Sequence, residues 1–429
     1  MSRLLFTLWD GGGNVPPVVS LAGALAARGH EVAVLADLSL EETVTSSGAR
    51  HLPWTTAPQR TGPDPSTEFV RDFEPGTPLG ASARIRDRLI VDPAADFARD
   101  TLAVIRQQGS EAVISENLLL GCQIAATSAG VPNISVVPNI YPGKVPGVPP
   151  FGLGLNVRTG PVGRIRDGLA AAMGRGLWDR RLSDVNDLLD EYGQPRLSTL
   201  FEMLERPDRV LVLTTAAFEL GGGINAPANV RYCGPRIEDP GWTEAWQEPE
   251  GPGPLVLASL STTTQGQDPM IRRILRALGE LPVRGLVTAG PSFSATDLNV
   301  PANVTVVPSA PHSAVMPRAD AVISHAGHGT VIKSLAFGVP LLCLPVGRDQ
   351  PDTAARVVAC GAGLRLRPGA RSAAIASALD RILSEPDFPK AAGRIAEAIA
   401  ADRQRDLAVE EIERLVATRW ELRVPEPGG

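Results

Sequence analysis

Two imidazoles, a hydroxyl and two glycines share six consecutive positions in His325-Ala326-Gly327-His328-Gly329-Thr330. The residues before them, Asp320 to His325, read as a short buried strand. Those after them, Val331 to Phe337, read as a helix that stops at Gly338-Val339-Pro340. A strand that turns through glycines into a helix gathers bare backbone N–H groups at one point. With the positive end of the helix dipole, they suit a phosphate or diphosphate. After the next strand comes Arg348-Asp349-Gln350, an acid and an amide able to hold sugar hydroxyls. A phosphate site beside a hydroxyl site points to a nucleotide sugar.

The elements that must carry these residues form two α/β series. The first opens with a strand at Leu4 to Trp9, a loop at Asp10-Gly11-Gly12-Gly13-Asn14, a helix over Val18 to Arg28 and a strand at Glu31 to Asp37. That order starts a doubly wound layer of parallel strands. Residues Thr61 to Asp92 read as a long irregular loop with helical pieces, the kind that often binds something. Strands at 111–115 and 133–137 continue the layer, and Tyr141 to Gly154 is too rich in Pro and Gly to be regular. Gly163 to Tyr192 reads as helical, with Arg164, Arg166, Arg175, Arg180 and Arg181 on one side. Such a helix could touch a membrane or an acidic partner, but its interleaved aspartates favour a solvated face or an acceptor lid. After a strand at 209–214, Pro, Gly and Glu dominate residues 235–254, as in a linker. A second series then starts at Leu255, with strands at 285–288, 304–307, 321–325 and 341–344 and a closing helix at 406–420. The expected division is a first domain at 1–235, a linker at 236–254, a second domain at 255–405 and a C-terminal helix within 406–429 packing back on the first domain.

Composition narrows the classes. With 429 residues, 43% hydrophobic and 21% charged, the chain is expected to be a soluble protein of two or three domains. A net charge of -6 argues against a general nucleic-acid partner. No apolar run reaches membrane-spanning length, so stable insertion is not expected. Cys122, Cys233, Cys343 and Cys360 show no C-x-x-C spacing and lie in apolar segments. They read as buried thiols of a reducing, cytoplasmic compartment.

The glycines at 11–13 fail the G-x-G-x-x-G dinucleotide pattern because Pro16 stands at the third glycine. A dehydrogenase reading is therefore weak. The string Ser324 to Thr330, Gly338-Val339-Pro340-Leu341 and Asp349-Gln350 instead resembles the donor signature of the GT-B glycosyltransferases. These are inverting, nucleotide-sugar-dependent enzymes that include macrolide and plant UDP-glycosyltransferases, and the closest likeness is to actinobacterial natural-product enzymes. Arg28-Gly29-His30-Glu31-Val32 looks like that family's opening, so the resemblance spans most of the chain. It implies two Rossmann-like domains facing across a cleft, with the acceptor on the first and the donor on the second. It also implies that His325 donates to a phosphate, that Gly327, His328, Gly329 and Thr330 wrap the diphosphate, and that Asp349 and Gln350 read the sugar. Ser261 and Thr262 would lie across the cleft near the phosphates. Ser309 and His312 fall where the family holds the base, with Ser309 replacing its stacking tryptophan.

The resemblance breaks at the catalytic base. Asn14 stands where the family commonly has a histidine, and none of the five histidines falls in that loop. An amide cannot take a proton at neutral pH. Asn14 would then orient an acceptor whose proton goes to Asp10 or to Glu116, which matches the family's acid position. Alternatively the acceptor is acidic enough, as a phenol is, to need little help. A third reading is an impaired nucleotide-sugar-binding auxiliary protein, and a fourth is a nucleotide-sugar epimerase or hydrolase on the same fold. The chain carries no D-x-D metal motif. The expectation is a metal-independent transferase without a cofactor. Its co-substrate is a UDP- or dTDP-sugar, its acceptor a small aromatic or apolar molecule, and its state a monomer or homodimer.

Overall fold

The computed structural model describes residues 1–62, 64–71, 74, 77–239, 243, 246–260, 268–290 and 299–423. Its frame is two parallel sheets. The first contains β1 (Arg3–Leu8), β2 (Glu31–Ala36), β3 (Arg50–Pro53), β4 (Ala112–Glu116), β5 (Asn133–Val137), β6 (Arg209–Val212) and β7 (Val230–Tyr232), in the order β3-β2-β1-β4-β5-β6-β7. The second contains β8 (Leu255–Ser259), β9 (Arg284–Thr288), β10 (Val304–Val307), β11 (Ala321–Ser324), β12 (Leu341–Cys343) and β13 (Gly363–Arg365), in the order β10-β9-β8-β11-β12-β13. Each sheet starts in its middle, builds to one edge, then crosses back to build the other. The two crossings, β1 to β4 and β8 to β11, leave crevices at the carboxyl ends of the strands, where such folds bind ligands. The central strands β4, β5 and β8 are buried at every position, because helices cover both faces.

Pro16 and Pro17 sit in the first turn of helix Val15–Ala27. There a missing N–H costs nothing and the fixed φ suits the helix, which is why Pro16 is compatible with a strand–loop–helix unit that lacks the third glycine. Helices Ala94–Gln108 and Leu120–Ser128 approach closely at Gly121, where a Cβ would stand 2.0 Å from the Ala94 carbonyl oxygen. Gly121→Ala is therefore expected to destabilise the first domain by about 1–3 kcal/mol, the usual cost of overpacking. A shift of the urea midpoint at unchanged slope would register it.

Helix Leu407–Arg423 sets Ala408, Val409 and Ile412 into the core of the first domain, beside Leu21, Leu25 and Val34. Glu413 bonds Arg28 at 3.2 Å and His30 at 3.1 Å, so His30 ties a helix end to the C-terminal helix. The described part of the segment between the domains has no regular structure, yet it is no free spacer. Ile237 joins the second domain's core, Glu248 pairs with Arg284 and Arg318, and Asp239 pairs with Lys333.

Several boundaries move from the sequence expectation. The arginine-rich stretch is broken into helix Gly160–Trp178, a 3-10 turn at Asp179–Arg181 and helix Leu182–Glu191. The long loop of the first domain contains a 3-10 turn at Pro65–Thr67, helix Pro78–Ile85 and a π turn at Arg86–Val91. All four cysteines are free thiols, and three of them are buried. Among the described residues, no helix is long and apolar enough to cross a membrane.

Candidate active site

At the second domain's crevice, β11 ends at Ser324 and helix His328–Ala336 begins four residues later. The turn between them is tight: Ala326 is fully buried with φ 68°, and its N–H donates to Ser324 Oγ at 3.1 Å. A non-glycine residue held at positive φ marks a place where the surroundings overrule local preference. Gly327 takes the N-cap position in extended backbone and no side chain caps the helix. The first acceptor used inside the helix is the Gly327 carbonyl, reached by Val331 N–H. The N–H groups of His328, Gly329 and Thr330 therefore find no acceptor among the described residues, at a terminus whose dipole favours an anion.

His325 lies over this turn. A Cβ at Gly327 would come within 2.5 Å of its Nε2, so the ring occupies space that only glycine leaves open. The His325 side chain is buried, and its Nδ1 has no hydrogen-bond partner among the described residues. Burial pushes its pKa down to about 4, the Arg348 charge adds to that, and the Ser259 backbone opposes it. The ring is neutral at working pH and can give one hydrogen bond without carrying charge.

His328 departs from its expected role. Its Nε2 lies 3.1 Å from Thr214 Oγ1, at the carboxyl end of β6 in the first domain, and its ring packs near Phe218. The side chain ties the domains together through Nε2, and its backbone N–H belongs to the open helix terminus. Gly329 is exposed and Thr330 half-buried at the open end. Ser309 is buried after β10, and His312 begins the short helix His312–Val315. Burial, with the Lys333 charge behind it, pushes His312 down to about 4. Ser261 and Thr262 lie outside the described residues.

The turn after β12 reaches the other domain. Asn139 Nδ2 donates to Asp349 Oδ2 at 3.1 Å, and Arg348 Nη1 donates to the Gly11 carbonyl at 3.1 Å. Arg348 does so from φ 54°, a second non-glycine residue held at positive φ. Burial raises the Asp349 pKa, against its bond from Asn139 and the Arg348 charge. Gln350 Oε1 accepts from Val346 N at 2.8 Å and Gly347 N at 3.0 Å. Its carbonyl oxygen therefore closes its own turn and is not spent on a sugar. Below this turn, helix Gln350–Ala359 anchors the first domain through Arg356 and Glu219, 2.6 Å apart and each with a side chain 4% exposed. The two carboxyl-end crevices thus face each other, brought together by Arg348, Asp349, Arg356 and His328.

On the first domain, the Asn14 amide is engaged within its own loop. Its Nδ2 donates to the Trp9 carbonyl at 2.9 Å and its Oδ1 accepts from Gly11 N at 3.1 Å, so the amide clasps the glycine turn. Asp10 accepts from Ser39 Oγ at 2.9 Å and Arg60 Nη1 at 3.2 Å. Its own N–H donates to Asp37, a fully buried carboxyl whose pKa burial lifts to about 7. Glu116 ends β4, is 2% exposed and accepts from Leu118 N at 3.0 Å. Burial raises it to about 8, against the Leu118 bond and the neighbouring Trp9 indole. Burial thus favours the protonated form of Glu116.

These shifts have a sign for stability. Glu116 and Asp37 hold protons in the fold that the unfolded chain releases near pH 4. Their contribution is full below that pH and is lost as pH rises through about 7 to 8. Glu116→Gln removes the Glu116 part, so its melting temperature relative to the parent is expected to improve from pH 5 to pH 9. A constant difference across that range would mean that Glu116 ionises normally.

Sequence reasoning missed Trp9, Asp37, Arg60, Asn139, Thr214 and the Glu219–Arg356 pair. Arg348 stood in view beside Asp349, but nothing in its neighbours signals its positive φ. Among the described residues, no group of three or more His, Cys, Asp or Glu is placed to hold a metal ion.

Two facing doubly wound sheets, with an uncapped helix terminus in one crevice, define a GT-B protein. The glycosyltransferase of kitacinnamycin superposes with a TM-score of 0.77 at 21% identity, covering 96% of this chain and 98% of that one. The glycosyltransferase VinC, solved in complex with dTDP, superposes with a TM-score of 0.63 at 22% identity over 97% and 100% of the two chains. Residues 272–415 match the family described as erythromycin biosynthesis protein CIII-like, C-terminal domain. The chain is 30% identical to 4'-demethylrebeccamycin synthase of Lentzea aerocolonigenes over 96% of its own length and 98% of the relative's. It belongs to this family of natural-product glycosyltransferases and is itself a glycosyltransferase.

Proposed function

We propose that the chain moves a sugar from a UDP- or dTDP-sugar onto a small aromatic or apolar natural product, with inversion and without a metal or cofactor. The observation that carries this reading is the buried, neutral His325 over the uncapped N–H groups of His328 to Thr330. The acceptor atom attacks the anomeric carbon from the face opposite the diphosphate, the glycosidic bond forms, and the nucleoside diphosphate leaves with the bonding pair. Charge then grows on the leaving oxygen. Oriented N–H groups in a dry site stabilise it without reorganising, which is the work a metal would otherwise do. Asp349, held by Asn139, faces the transferred sugar in this reading, and domain closure excludes water.

The base is the weak part of the machinery. Glu116 is protonated until about pH 8 and Asp10 is held by Arg60 and Ser39. The reading therefore favours acceptors that give up a proton easily, such as phenols. If Glu116 takes the proton, the transfer rate rises with pH through about 8, and Glu116→Gln flattens that limb without changing donor affinity. An unchanged profile in Glu116→Gln and in Asp10→Asn removes both as bases.

Mass spectrometry of UDP- and dTDP-sugars incubated with phenolic and macrocyclic acceptors tests the whole reading. The expected result is one product whose mass gain equals one glycosyl residue, the sugar less water, formed equally in chelator. No product from any pair, together with stimulation of another transferase, would make the chain an auxiliary binder.

A further inference from the structure

Helix Gly160–Trp178 presents its apolar side to solvent. Val162, Ile165, Leu169 and Met173 are 59, 64, 69 and 49% exposed, and their spacing of three, four and four residues sets them in one stripe along the helix. Its other side rests on helix Pro78–Ile85 and the 3-10 turn Leu200–Leu204. Large apolar side chains exposed in a row, and not scattered, mark a surface that meets something. Gly168, Ala172 and Gly176 are exposed beside them and keep that surface low.

Charge identifies the occupant. The chain as a whole carries -6, yet residues 158–181 contain six arginines against two aspartates. Arg166 pairs with Asp167, and Arg181 with Asp87, Asp92 and Asp184. Arg158, Arg164, Arg175 and Arg180 are exposed, and their side chains make no ion pair or hydrogen bond among the described residues. On the helix, Arg164 and Arg175 fall at one edge of the exposed face and Arg166 at the other, with Gly168 and Ala172 between the first pair and the stripe. A second copy of the chain fits poorly: pairing two such helices antiparallel about Leu169 would set Arg164 of one beside Arg175 of the other. A low apolar stripe with cations along its edges suits a bilayer, with side chains in the acyl boundary and guanidinium groups on phosphates.

We propose that this helix is a peripheral docking face for an anionic lipid surface. The protein lies on the membrane through Val162, Ile165, Leu169 and Met173, without spanning it. The loop 141–159, which leaves the carboxyl end of β5 beside Asn139, leads directly into this helix. Docking would therefore hold the cleft close to the lipid surface.

Co-sedimentation of the full chain with vesicles tests this. The chain is expected to pellet with phosphatidylcholine vesicles containing phosphatidylglycerol, to be released by high salt, and to stay in solution with phosphatidylcholine alone. The double substitution Arg164→Gln/Arg175→Gln should weaken partitioning roughly thirtyfold, about fivefold for each arginine. Ile165→Gln/Leu169→Gln should abolish pelleting, and both variants should keep the parent's melting temperature and transfer rate on a dissolved acceptor. Failure of the parent to pellet with the anionic vesicles would overturn the proposal, as would equal pelleting of parent and variants. Sedimentation velocity offers a further check. A dimer that Ile165→Gln/Leu169→Gln dissolves would assign the stripe to a second copy and overturn the lipid face.

Discussion

His325→Ala is expected to slow sugar transfer roughly 10- to 100-fold, the range that follows from losing a hydrogen bond to a charged group worth about 1.5–3 kcal/mol. The ring is neutral and its Nε2 stands over Gly327 at the open turn, so it is placed to bond a ligand held there. A donor that matters most as charge develops lowers kcat more than it raises KM for the sugar nucleotide. Gly327→Ala should reproduce the loss with His325 still present, because the added Cβ would stand 2.5 Å from Nε2 and displace the ring. The pH profile adds a check. A histidine titrating near 4 contributes no acid limb around pH 6.5, so the profile near that pH should be the same in parent and variant. Full activity in His325→Ala would remove the residue from the site.

Glu219→Ala is expected to cost about 3–5 kcal/mol, the penalty for leaving one member of a buried ion pair without its partner. Both side chains are 4% exposed, and Glu219 also accepts from Tyr141 N at 3.0 Å. The pair joins the helix that carries Asp349 and Gln350 to the first domain, so the loss falls on the docking of the two domains. Denaturation should change from one transition to two, with the donor-side domain keeping its own midpoint. Replacing both partners together, Glu219→Leu with Arg356→Leu, should cost much less than either single change, since no buried charge is left over. Equal costs for the single and double variants would mean that the pair is solvated and contributes little.

The strand–turn–helix at residues 321–336 was legible because its signal is local. A strand, two glycines and a helix start in consecutive residues, so Ser324 to Thr330 can be read without knowing what packs around them. The central strands were equally plain, being apolar runs of strand length. The strands that escaped notice, Arg50–Pro53, Val230–Tyr232 and Gly363–Arg365, are all short and carry charged or turn-forming residues. β3, β7 and β13 lie at sheet edges, where such residues guard against further pairing and blur the apolar signal.

What the sequence could not supply was the partner of each side chain across the cleft. His328 turns to Thr214, 114 positions away, and Asp349 to Asn139, 210 positions away. Asn14, read against a family position, proved to be the clasp of its own turn, and that role was available from the local residues. A short amide three residues after a glycine often bonds back to the backbone, which is what Asn14 does to Gly11 and Trp9. The raised pKa of Glu116 depends on complete burial and needs the fold.

The central claim is that a nucleoside diphosphate sits on the open terminus of helix His328–Ala336. Amide hydrogen exchange of the full chain, with and without dTDP or UDP, tests it most directly. The N–H groups of His328, Gly329 and Thr330 are expected to exchange freely in the unliganded protein and to become protected by the diphosphate, in chelator as well as without it. Binding that leaves these three amides unprotected, while protecting others, would contradict the account.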